Sequence, residues 1–232
     1  MSKQNHFERE IKKTVLNYLL DKNKLKNNVT VISELTIDSF SRRVDLVVLN
    51  DHKMIAYEIK SDADSLNRLP GQLDKYQQYF DKVVVVSTLK HINNILTTVP
   101  ENIEVWEVTD SKVTVRKRGK VNKFLAKEDY LDLLKVNDMR RLASIMKVNI
   151  SGSKSEVRRI IMDNISKIKR ENLKVFVLST ISKRFHLTSS AFLENITTTR
   201  KVTLNDLNIL SPYVSVRKIY SLFEESIIEK SK

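Results

Sequence analysis

Residues 42–60 read RRVDLVVLNDHKMIAYEIK, two apolar, largely β-branched runs separated by LNDHK. Such runs form strands, and the polar break between them is a tight turn. If Asp51 and His52 make a two-residue turn, or a four-residue loop shares that centre, Asp45 lies directly across from Glu58, with Cβ atoms roughly 4.5–5.5 Å apart. Arg43 then falls opposite Lys60, whereas a three-residue loop shifts the pairing by one. Residues two apart in a strand share a face, so Glu58 and Lys60 point one way and Tyr57 and Ile59 the other. One such charge is most simply a strand-edge partner of Arg43 or Lys60. Two opposed carboxylates and a lysine call for more, because the acids repel one another. A divalent cation relieves that conflict, and Mg²⁺ takes about six oxygens from one or two carboxylates, water and phosphate.

Outward from the hairpin, Phe7, Ile11, Val15 and Leu19 recur at fourfold spacing and predict a helix over 6–20. TVISELTI (30–37) is a further strand. LPGQLDKYQQYF (69–80) places Leu69, Leu73, Tyr76 and Phe80 on one helical face, with Pro70 in its first turn. KVVVVS (82–87) is a strand covered on both faces. A helix over about 89–98 and strands over 103–108 and 112–118 complete an α/β unit.

Asp45 followed after twelve residues by Glu58-Ile59-Lys60 resembles the PD-(D/E)xK nuclease superfamily, of restriction-endonuclease-like fold, with Val44 where the pattern often has proline. Gln72-Leu73-Asp74-Lys75-Tyr76 is similar to the Gln-x-x-x-Tyr motif of its RecB-like branch, and one helical turn separates the two named side chains. The resemblance covers about residues 5–110 and implies an αβββαβ core with a mixed sheet flanked by helices. It implies a Mg²⁺-dependent deoxyribonuclease, with Mn²⁺ as substitute, working in repair, recombination, restriction or mobile-element biology. Asp45, Glu58 and the carbonyl of Ile59 would bind metal, Lys60 would act on the attacking water or the phosphate, and Gln72 would position them. Tyr76 would pack or touch DNA. The acid many members take from the first helix is expected at Glu10, with Glu8 as competitor. Glu34 and Arg43 are additional candidates, and Asp62 and Asp64 are expected at the start of the following helix.

The chain has 232 residues and a formal charge of +13, which points to a polyanionic partner, nucleic acid before membrane. Residues 121–232 carry 21 Lys and Arg against 12 Asp and Glu, a larger excess than the 20 against 16 of residues 1–120. No apolar run reaches the roughly 18–20 residues of a membrane span, the start lacks a signal-peptide core, and cysteine is absent, so a cytoplasmic protein is expected. Three glycines leave no room for a Walker-type loop, and the four histidines form no zinc pattern, so no nucleotide cofactor is expected.

Strand signals fade after RKRGKVNK, which sets a boundary at about 119–124: a nuclease-like domain over 1–122, then an all-α basic domain over 123–232. Within the latter, residues 130–168 predict helix, an extended turn at Ser151-Gly152-Ser153, and helix, with Ser153 and Glu156 as a capping box. With Gly152-Ser153-Lys154 in the turn, this resembles a SAP motif. Arg140, Arg141, Lys154, Arg158 and Arg159 would then face DNA phosphate; the alternative is a helical hairpin that docks on the first domain or pairs two copies as a homodimer.

Overall fold

In the computed structural model, the chain is described over residues 3–211 apart from 27, 38–40, 51, 111 and 123–125, with side chains from residue 7 onward. Asp51 of the expected turn and the C-terminal stretch 212–232 lie outside the described residues. The elements are α1 (Lys3–Asp21), β1 (Thr30–Ile37), β2 (Arg42–Leu49), β3 (Met54–Lys60), α2 (Leu69–Tyr79), β4 (Lys82–Ser87), α3 (Leu89–Thr98), β5 (Glu104–Thr109) and β6 (Lys112–Lys117). Then follow α4 (Lys127–Asp132), α5 (Val136–Ile145), α6 (Lys154–Asp163), the long α7 (Arg170–Thr199) and the short α8 (Asp206–Ile209). The protein is α/β: one six-stranded mixed sheet flanked by helices, with a C-terminal helical region.

The strands lie in chain order, β1-β2-β3 antiparallel, β3-β4-β5 parallel and β5-β6 antiparallel. The two parallel steps need crossovers, which α2 and α3 supply. Asn50 sets the central hairpin: its side-chain oxygen accepts the amides of His52 and Lys53, and its own N–H meets the Lys53 carbonyl at 2.9 Å. That four-residue loop puts Leu49 opposite Met54 and Leu46 opposite Tyr57, the register expected from the sequence.

Each sheet face buries its own core. Ala56, Val83, Val85 and Val105 meet Leu73, Tyr76 and Phe80 from α2 and Ile92 and Ile95 from α3. Tyr57, Ile59, Val84 and Trp106 meet Ile11, Val15, Leu16 and Leu19 from α1. Phe7, expected on that stripe, is 47% exposed. The cores do not stop at residue 120: Leu131, Leu142, Val157, Leu173, Val177 and Ile181 belong to the first, while Phe192, Ile196, Val202 and Leu207 belong to the second.

Helix α7 therefore serves both layers. At 30 residues it is about 45 Å long, and it crosses the outer edge of β1, where Ser189 Oγ accepts the Val31 amide at 2.9 Å and Ser182 Oγ lies 2.7 Å from Thr30 Oγ1. Among the described residues no helix is long and apolar enough to cross a membrane.

Candidate active site

Where β1 and β2 run side by side, both lose their alternation at the same level. Ile32 and Leu35 in β1, and Val44 and Val47 in β2, belong to one core although the members of each pair are three positions apart. Ser33 pairs with Leu46 and Leu35 with Val44, but Glu34 and Asp45 between them are not partnered. Glu34 has φ +61°, the left-handed region, inside a strand. That conformation costs roughly 1–2 kcal/mol for a residue with a side chain. A paired irregularity thus sits at the first catalytic candidate.

Beyond Leu46–Tyr57 the β2–β3 ladder ends, so Asp45 is not ladder-paired with Glu58 as the hairpin arithmetic expects, nor Arg43 with Lys60. Asp45 instead turns its carboxylate to the main chain of β3, accepting the Ile59 amide at 2.7 Å. Burial, and then the charges of Glu58 and Glu8, push its pKa well above the ordinary carboxylate range; Lys12 and the Ile59 amide work against that. The Glu58 charge acts on Asp45 without the ladder pair.

Glu58 and Lys60 lie on the α2 side of β3. Glu58 is 1% exposed, and its two oxygens take Lys60 Nζ at 2.6 Å and the Tyr76 hydroxyl at 2.8 Å. Lys60 Nζ also reaches Gln72 Oε1 at 3.0 Å. The one-turn spacing of Gln72 and Tyr76 on α2 therefore lets one helix face hold both members of the Glu-x-Lys pair. Tyr76 is fully buried and cannot meet a nucleic acid, contrary to one expectation; its role is to hold Glu58. Burial and the charges of Glu58 and Asp45 drive its pKa up, so the hydroxyl keeps its proton, with the Arg43 carbonyl at 3.0 Å as its other acceptor.

Of the two acids expected from α1, Glu8 and not Glu10 acts on Asp45. Glu10 is paired with Lys13 near the surface, whereas Glu8 faces Asp45 and pairs with Lys12 at 3.3 Å. Lys12 is 4% exposed and reaches Ser33 Oγ at 3.2 Å, one residue from the strained Glu34. Sequence reading overlooked Lys12, yet Glu8, Lys12 and Leu16 stand at fourfold spacing on the buried face. Glu34 pairs with the exposed Arg43 at 3.2 Å. Arg42 was also overlooked: its Nε is buried with no hydrogen-bond partner among the described residues, and its Nη2 lies 3.8 Å from where a side chain on Gly71 would begin. Asp62 and Asp64 do not start α2, which Arg68 precedes; Asp64 closes a turn on Ser61.

Among the described residues no three His, Cys, Asp or Glu side chains stand together as a ready metal cage. Two carboxylates and a main-chain carbonyl nonetheless suit Mg²⁺, which keeps water and substrate oxygens for its other positions.

In the helical region, Gly152 has φ +94° and Ser153 and Glu156 form the capping box. Its arginines are not a free row of cations. Arg140 donates to the Gly152 carbonyl, Arg141 to Asp138, Arg158 to Asp132 and Arg159 to Asp163. Lys154 lies at the start of α6, exposed.

Fold and cluster together define an α/β protein whose acid–lysine centre forms where β2 and β3 part. Matches to known proteins place it more narrowly: the profile of bacteriophage P4 protein cII covers residues 1–211. Protein cII of Enterobacteria phage P4 is 32% identical over 209 residues, 88% of this chain and 77% of that protein. The chain belongs to the bacteriophage P4 protein cII family. A solved structure of a protein of unknown function from Silicibacter pomeroyi aligns with a TM-score of 0.43 at 13% identity, covering 60% of this chain and 90% of the other.

Proposed function

We propose that this protein is a metal-dependent deoxyribonuclease on a restriction-endonuclease-like core. The carrying observation is the single cluster of Glu58, Lys60, Gln72 and Tyr76, joined by hydrogen bonds, beside which Asp45 is held by the Ile59 amide. Asp45, Glu58 and the Ile59 carbonyl would hold Mg²⁺ or Mn²⁺, which when bound supplies Lewis acidity and shields charge building on the scissile phosphate. Lys60 brings a positive charge to that phosphate or its attacking water, held by Glu58 and Gln72. Tyr76 fixes Glu58. Water adds to phosphorus, the bond to the 3′ oxygen breaks, and the product keeps a 5′-phosphate.

The test is a cleavage assay on linear ends, flaps, junctions, intact duplex and RNA, with Mg²⁺, with Mn²⁺ and with EDTA. Asp45→Ala and Lys60→Ala should each reduce metal-dependent cleavage by about 100-fold or more while leaving binding largely intact. Robust cleavage by both variants overturns the assignment.

One observation favours a second reading, a nucleic-acid-binding protein without chemistry. Lys60 neutralises Glu58 and Lys12 sits beside Glu8 and Asp45, so the acids are partly balanced with no metal. That protein would bind DNA with salt-dependent affinity and cleave it with no metal ion.

A further inference from the structure

A cavity of about 440 Å³ separates the end of β1 (Leu35, Thr36, Ile37) from α4 to α7. Leu134, Met139 and Phe185 make its apolar wall, and Lys135, Lys154, Arg158 and Arg184 its basic one. It shares Lys135, Val136 and Arg184 with a neighbouring cleft of about 470 Å³, to which Arg141 and Lys183 are added. Around the joined groove stand six basic side chains and only two acids, Asp132 and Asp138. Those acids fix the three arginines, Arg158 at 2.7 Å from Asp132, and Arg141 and Arg184 at 2.7 and 2.9 Å from Asp138, and leave the basic side chains in excess by six to two.

Three contacts link the groove wall to the acid–lysine centre. Thr36 in its wall pairs with Arg43 across β1 and β2, and the Arg43 carbonyl lies at the hydroxyl of Tyr76, which holds Glu58. We propose that it is a binding site for single-stranded nucleic acid, taking unstacked nucleotides that lead to or from the cleavage centre. A duplex hides its base faces in the stack. Only an unpaired strand offers an apolar wall its bases and fixed cations its phosphates at once. The volume is in the range of pockets that hold one small ligand, or one base out of its stack. The proposal rests on the nuclease reading for its substrate, narrowing it to ends, flaps or other unpaired segments.

The test measures fluorescence anisotropy of labelled oligo-dT of about 16 nucleotides and of blunt duplex of equal length, in EDTA, on full-length protein. The protein carries Asp45→Ala, so binding is read apart from chemistry. Oligo-dT should bind about tenfold or more tightly than duplex. Adding Lys135→Glu and Lys183→Glu, both exposed, should remove that preference and lessen the salt dependence. The same charge change at Lys112 and Lys120, on and just after the far-edge strand β6, should leave the preference in place. Equal affinity for duplex, or a preference that survives the groove substitutions, overturns the proposal without touching the nuclease reading. Selective groove binding by a wild-type protein that cleaves nothing supports the groove and removes the nuclease.

Discussion

Asp45 is held in a place that suits a carboxylate badly. It accepts one amide, from Ile59, while Glu58 and Glu8 crowd it. A carboxyl whose folded pKa is raised binds its proton more readily folded than unfolded. It therefore subtracts stability above its unfolded pKa, and the loss shrinks as pH falls from the folded pKa towards the unfolded one, where it vanishes. Asp45→Asn keeps an acceptor for Ile59 and removes the repelled charge. Calorimetry should show it melting above wild type at neutral pH, by about 2–4 °C for each kcal/mol relieved, with the gap closing towards acid pH. The same variant should lose cleavage, the trade expected where function holds a charge against the fold's interest. An unchanged Tm would mean that Lys12 already compensates Asp45. At this scale Glu58 and Lys60 were legible as one face of a strand, whereas Gln72 entered through the family resemblance and Asp45 meets β3 by the Ile59 amide and not by the expected ladder pair. Glu8 was passed over for Glu10 because the apolar stripe was drawn through Phe7, which is exposed; drawn through Leu16, the same spacing leads back to Lys12 and Glu8.

Among elements, the β2–β3 hairpin was readable because its information is local: two alternating runs and an Asn50 that closes the loop with its own side chain. The slip at Glu34 and Asp45 left a trace that periodicity could have caught, since Ile32 and Leu35 are out of phase in TVISELTI. What the sequence could not supply is that β2 slips at the same level, keeping register on both sides. At the other end of the sheet, Glu104 pins β4 to β5. Burial pushes its carboxyl upward, but hydrogen bonds from Lys82, the Gly119 amide and the Trp106 indole outweigh this and hold it below the ordinary range. A depressed carboxyl stabilises the fold above its unfolded pKa, and that contribution is lost as pH falls through the folded one. Glu104→Gln should cost about 1.5–3 kcal/mol at neutral pH and progressively less on acidification, measured by urea unfolding.

For the whole molecule, a boundary near residue 120 is visible as a change from strands to helices, but the packing runs through it. Leu142, Val157 and Val177 share a core with Val85 and Ala56. Denaturant unfolding followed by Trp106, the single tryptophan in the sheet, and by far-ultraviolet circular dichroism, dominated by the helices, should give coincident transitions. Separate midpoints would mean two units that unfold independently. The path of α7 was hidden because its partners change midway: its first half meets one core and its second half the other, so no single stripe marks it. Its position also sets a timetable. Ser182 lies 152 residues after Thr30, so a ribosome adding about 5–20 residues each second would leave the outer edge of β1 bare for roughly 8–30 s. For that interval the nascent chain carries an open strand edge, and the helix that closes it is the last long one among the described residues.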